Sequence, residues 1–86
     1  MSDPKAGERA ALGSRCRELL KSPTFMEAMT AVNDDYERAI LSSAPNATEV
    51  REQIYREYCA FKRITQRLKS WEQDGVLAQE ELERDH

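Results

Sequence analysis

The groups in this chain that could do chemistry are one histidine, two cysteines, an aspartate pair and a run of cations. A nucleophile needs a base held at fixed distance. His86 stands last, with nothing after it to fix its ring, so neither Cys16 nor Cys59 is expected to have an activating partner. Cys16 falls on an apolar stripe and Cys59 lies between Tyr58 and Ala60, so both read as small buried or half-buried hydrophobes. Cysteine, histidine and carboxylate nowhere gather at ligand spacing, which predicts no metal site and no cofactor. Asp34-Asp35 reads as a solvated turn of helix surface rather than an acid pair. No catalytic residue is expected, and the chain is not read as an enzyme.

The cations call for a closer reading. Lys62, Arg63, Gln66 and Arg67 share one helical face, with Tyr58, Phe61 and Trp71 interleaved, an arrangement that can stack bases. Three facts argue against nucleic acid. The aromatics fall on the apolar stripe, and the net charge is −3. The cations also occupy the C-terminal half of their helix, where the macrodipole favours them. In an antiparallel hairpin Glu27 would lie level with Lys62, and Asp34-Asp35 with Ile54-Tyr55. The stretch is expected to be solvated surface, with protein docking as the alternative. Tyr55, beside the apolar stripe, and Trp71, near the helix end, are amphipathic side chains of the kind found at interface centres. Tyr55, Trp71, Lys62, Arg63 and Arg67 are therefore the candidate partner-binding residues.

Helices must position these groups. Leu12, Cys16, Leu19 and Leu20 recur at helical spacing between Glu8 and Lys21, with Gly13 as a weak point of roughly 1 kcal/mol relative to Ala. Ser22-Pro23 predicts a cap followed by a first helical residue whose missing N–H is harmless. A second helix from Pro23 to about Ser42 carries the stripe Phe25, Met29, Val32, Tyr36 and Ala39/Ile40. The loop Ser42-Ser43-Ala44-Pro45-Asn46 ends it, and Asn46 with Glu49 predicts a capping box for a third helix from Ala47. That helix is expected to run to Asp74, with Val50, Ile54, Tyr58, Phe61, Ile64, Leu68 and Trp71 on its inner side. Asp74-Gly75 is read as its stop.

The fold class expected is thus all-α: a long antiparallel helical hairpin with a shorter N-terminal helix packed across it. Residues 1–86 form a single domain in which 1–7 and 78–86 are expected to be frayed or disordered. Phe25, Met29, Val32, Tyr36, Ile54, Tyr58, Phe61 and Leu68 are the expected core. Leu, Ile, Val and Phe together supply 15 of 86 residues. That is a thin supply for a chain folding alone, since ordered domains usually exceed about 20% in these residues. A partner, or a second copy, is expected to help.

No apolar run is long enough to span a membrane, and Met1-Ser2-Asp3-Pro4-Lys5 lacks the apolar core of a signal peptide. The expected compartment is therefore the cytoplasm, with reduced cysteines. The sequon Asn46-Ala47-Thr48 carries no meaning in that setting.

The segments Leu19-Leu20-Lys21-Ser22-Pro23-Thr24-Phe25, Arg51-Glu52-Gln53-Ile54-Tyr55 and Asp74-Gly75 resemble small helical-hairpin proteins encoded near the head and portal genes of tailed phages and prophages. The resemblance covers roughly residues 12–77 and rests on caps, stops and core positions. It carries over no functional residue. What it implies is a small structural or assembly component of a phage particle, in host cytoplasm or virion, binding itself or a larger protein assembly. The alternative is a small inhibitor or adaptor that binds a host or viral protein.

Overall fold

The computed structural model describes residues 5–84: three helices, the short segments between them, and Lys5, which leads into the first. Three helices follow one another: α1 spans Ala6–Lys21, α2 Pro23–Ser42 and α3 Thr48–Arg84. The chain is all-α. The expected fraying of residues 1–4 and 85–86, and the reading of His86, lie outside the described residues.

The first boundary forms as the sequence predicts. Ser22 accepts a hydrogen bond at Oγ from the Phe25 N–H at 3.3 Å, and Pro23 opens α2. A single extended residue therefore separates α1 from α2. At the second boundary the predicted capping box gives way to a turn. The Ala47 N–H donates to the Ala44 carbonyl at 2.9 Å, which places Pro45 and Asn46 at the turn's centre and starts the helix at Thr48. Arg51 ties this loop down by donating to Ser43 Oγ at 3.0 Å and to the Ala44 carbonyl at 2.7 Å.

The largest departure concerns Asp74-Gly75. The helix does not stop there, and among the described residues no glycine has positive φ. α3 runs on for 37 residues, about 55 Å at 1.5 Å per residue. Residues 78–84, expected to fray, are helical, and Ala78 is fully buried. Ala6 and Gly7 likewise belong to α1, and Ala6 is fully buried.

The reason is packing. A Cβ placed on Gly13 would lie 2.6 Å from Gly75 Cα and 2.9 Å from the Trp71 carbonyl oxygen; one on Gly75 would lie 2.6 Å from Gly13 Cα. The two helix backbones meet directly at this pair of glycines, where any side chain would hold them apart. Cys16 is buried in the same α1 and Ala78 in the same stretch of α3, so small residues make this joint. Gly13, a weak point by helix propensity, is therefore where α1 and α3 come closest.

Charge fixes the direction of this contact. The Arg9 guanidinium donates to both Asp74 carboxylate oxygens, at 2.8 and 3.0 Å, and reaches Glu81 at 3.4 Å. Arg17 reaches Glu72 at 3.6 Å. Rising numbers on α1 thus meet falling numbers on α3, so α1 runs antiparallel along the C-terminal part of α3 rather than across it. Arg9 holds the Asp74 carboxyl below its ordinary 3.8, chiefly through the hydrogen bonds; desolvation opposes this, and the Arg9 charge adds a smaller lowering.

α2 meets the N-terminal part of α3 through a looser aromatic contact. The Tyr36 ring lies 5.8 Å from Tyr58 and 5.9 Å from Phe61, within the range of tilted aromatic pairs. Tyr58 donates its hydroxyl hydrogen to Asn33 Oδ1 at 3.1 Å. No residue of α2 is fully buried. Of the expected core, Phe25, Met29, Tyr36, Ile54, Tyr58, Phe61 and Leu68 are half-buried, while Val32 is exposed. Val50, Ile64 and Trp71, expected on the inner side of α3, are exposed as well.

Burial along α3 follows a seven-residue step instead: Ile54, Phe61, Leu68, Gly75 and Leu82 are each half-buried or buried, with Arg51, Tyr58, Thr65 and Glu72 half-buried in a parallel row beside them. A strict step of seven drifts only slowly around a 3.6-residue helix, so the seam stays on one side of α3, facing α2 along its N-terminal part and α1 along its C-terminal part. One neighbour covers only a narrow seam. Ile64 and Trp71 each lie three residues past a seam position, about 60° around the helix, and stay in solvent.

Candidate interaction surface

The protein measures 62 × 25 × 13 Å. Its least dimension fits a single layer of helices. Every helix therefore presents two sides to solvent, and among the described residues no large side chain is fully buried. The exposed large apolar residues include Leu19, Met26, Val32, Leu41, Val50, Tyr55, Ile64, Trp71, Val76 and Leu77.

The five candidate residues divide between two sides of α3. Arg63, Arg67 and Trp71 come together around a shallow groove whose floor is Ile64 and Leu68. Ile64 is 59% and Trp71 40% exposed, so this groove is wet apolar surface flanked by two guanidinium groups. Tyr55 lies elsewhere. It borders a recess beside the loop with Ile40, Arg51 and Glu52. Sixteen residues separate Tyr55 from Trp71, which turns them about 160° apart on the helix. Lys62, seven residues beyond Tyr55, lies on the Tyr55 side, with its ammonium 5.0 Å from the centre of the Tyr58 ring. Lys62 thus makes a cation–π contact within the chain. It does not join the two arginines.

A second recess opens between α2 and α3. Val32, Ala39 and Ile54 give it an apolar lining, and Asp35 and Glu57 give it negative charge. Glu57 precedes Ile64 by seven residues, so this acidic recess and the arginine-flanked groove share one side of the molecule. Asp35 also pairs with Arg38 along its own helix at 2.8 Å, with both side chains largely in water. Sequence reasoning missed Glu57 and Ala60 and assigned Ile64 to the interior. The signal was present: Glu57, Ala60, Ile64, Arg67 and Trp71 are spaced by three, four, three and four. That is a second stripe beside the first.

Cys16 is buried, Cys59 is half-buried, and both are free thiols. Among the described residues no three His, Cys, Asp or Glu side chains gather where they could hold a metal ion. Also among the described residues, no helix is long and apolar enough to cross a membrane. In comparisons with known proteins, no family model matches this chain, no curated protein matches its sequence, and no solved structure matches its shape.

Proposed function

We propose that this chain is a non-enzymatic helical interaction module, a small structural or assembly subunit that completes its apolar core against another protein surface. Its working form is an antiparallel hairpin: α3 is one arm, and α2 continued by α1 is the other. The observation that supports this reading is the layer itself. A structure about one helix thick, with Ile64, Trp71 and Tyr55 exposed and no large side chain fully buried among the described residues, leaves its apolar side chains only half out of water. Stacking a second layer on it would bury them, at about 25 cal/mol per Å² of apolar surface removed from solvent. The likeness to small tailed-phage proteins suggests particle assembly as the setting.

Sedimentation velocity over about a hundredfold range of concentration tests the reading. A defined oligomer that persists on dilution, or forms with a concentration-dependent midpoint, is the expected result. A well-folded monomer at every concentration would count against self-assembly and move the function to an adaptor or inhibitor with a single dissimilar partner.

A further inference from the structure

The side of the molecule that carries the acidic recess and the arginine-flanked groove is complementary to itself. Along α3 the exposed stripe continues in both directions as Val50, Gln53, Glu57, Ala60, Ile64, Arg67 and Trp71. Its three-and-four spacing is symmetric about the level of Lys62. Turned end for end, Ala60 falls on the place of Ile64, Glu57 on that of Arg67, and Gln53 on that of Trp71. Glu57 and Arg67 are ten residues apart, about 15 Å along the axis, so the two recesses are separate and opposite in charge. Asp35 adds to the acidic one and Arg63 to the basic one.

We propose that a second copy of this chain covers this face in an antiparallel, two-fold pairing in which Glu57 of each copy meets Arg67 of the other. The proposal rests on the self-associating reading above and adds the face and the register. A two-fold contact presents the same patch from both sides, so every favourable pair occurs twice. Here the pairs are Glu57 with Arg67 and Ala60 with Ile64, and the small Ala60 side chain leaves room for the larger one. Trp71 lies over Gln53 at either end. A face within a 62 × 25 Å outline has room for the roughly 800 Å² per partner that a stable interface buries. A net charge of −3 per chain puts little repulsion in the way. The opposite side of the layer is less suited, because there Arg17 pairs with Glu72 and Lys62 is engaged over Tyr58.

The test is a charge exchange read by sedimentation equilibrium at low and moderate salt, with helicity by circular dichroism as the control for folding. Glu57 and Arg67 are both exposed, so neither change touches the intramolecular seam. Glu57→Arg and Arg67→Glu should each weaken the dimer at least about tenfold, because each turns two attractive contacts into repulsive ones. Combined in one chain they restore the pairing, and the dimer should return to within about threefold of wild type. Ile64→Gln, which removes apolar contact and leaves charge unchanged, should weaken it too. Single variants that associate as wild type does, or a double variant weaker than either single, would overturn this face and register while leaving self-association intact. A wild-type chain that is monomeric throughout would overturn both.

Discussion

Adding one methyl group at Gly13 sets two effects of opposite sign against each other. In an exposed helix, Gly→Ala stabilises by about 1 kcal/mol, because alanine loses less backbone freedom on folding. At Gly13 the new Cβ would sit 2.6 Å from Gly75 Cα and 2.9 Å from the Trp71 carbonyl oxygen. Both are backbone atoms and cannot swing aside, so the helices must part by about an ångström to reach ordinary van der Waals contact. Overpacking a close contact costs about 1–3 kcal/mol. Separation would also lengthen the Arg9–Asp74 hydrogen bonds, now 2.8 and 3.0 Å. Gly13→Ala is therefore expected to lose about 0–2 kcal/mol net, after the propensity gain is taken into account.

Gly7 supplies the internal control. It lies in the same helix, and a methyl group added there would have nothing within 4 Å, so Gly7→Ala should gain about 0.5–1 kcal/mol. Urea or thermal unfolding followed at the helical circular-dichroism band, at matched protein concentration, reads both. For a domain of this size 1 kcal/mol moves Tm by about 4–8 °C, so the two variants should shift in opposite directions by amounts easily separated. Gly75→Ala should behave like Gly13→Ala. The two together should cost less than their sum, since the first separation makes room for the second. If Gly13→Ala and Gly75→Ala stabilise as Gly7→Ala does, the direct backbone contact of α1 with α3 is wrong.

Three further outcomes follow from the same geometry. Phe61→Ala removes a half-buried ring against Tyr36 and should cost about 1.5–2.5 kcal/mol, roughly half the 3–5 of a fully buried phenylalanine; an unchanged denaturation midpoint would contradict the α2–α3 aromatic contact. The Asp74 carboxyl titrates below its unfolded value, so its stabilising effect is fully present above about pH 4 and is lost as pH falls through the lowered folded value. Asp74→Asn should accordingly flatten the acid limb of a stability–pH profile, and a profile identical to wild type would dismiss the Arg9 pairing as a contributor. Ser22→Ala deletes the side-chain cap of α2 and should cost about 0.5–1 kcal/mol in the same unfolding assay, whereas Ser22→Asp should preserve most of the stability.

Local chemistry was legible where it depends on adjacent residues. Ser22-Pro23 specifies the break between α1 and α2 because a hydroxyl acceptor and a ring lacking an N–H can act only at a helix start. Pro45 ends α2 for a related reason. Asp74-Gly75 misled because glycine serves two purposes that look alike in sequence. It ends helices by reaching the left-handed conformation, and it lets two helices touch by having no side chain. Only a partner backbone decides between these uses, and Gly13 lies 62 positions away. The interior positions of α3 were read as one wide stripe for a similar reason. Periodicity marks which residues share a side of a helix, but the number of neighbouring helices decides how much of that side is covered.

The candidate surface divides along the same line. The residue types were visible at once: large amphipathic rings and guanidinium groups beside an apolar stripe. Which of them stand together was not, because the choice depends on where the seam runs. Once Ile54, Phe61 and Leu68 take the seam, Arg63, Arg67 and Trp71 gather on one side, while Tyr55 and Lys62 fall on the other. The sequence by itself determined three helices, the chemistry of their ends and an apolar supply too small for a thick core. Only the tertiary structure decided that α1 lies along the far end of α3, since that contact depends on two glycines and an Arg–Asp pair distant in sequence, and neither half carries a local signal of the other.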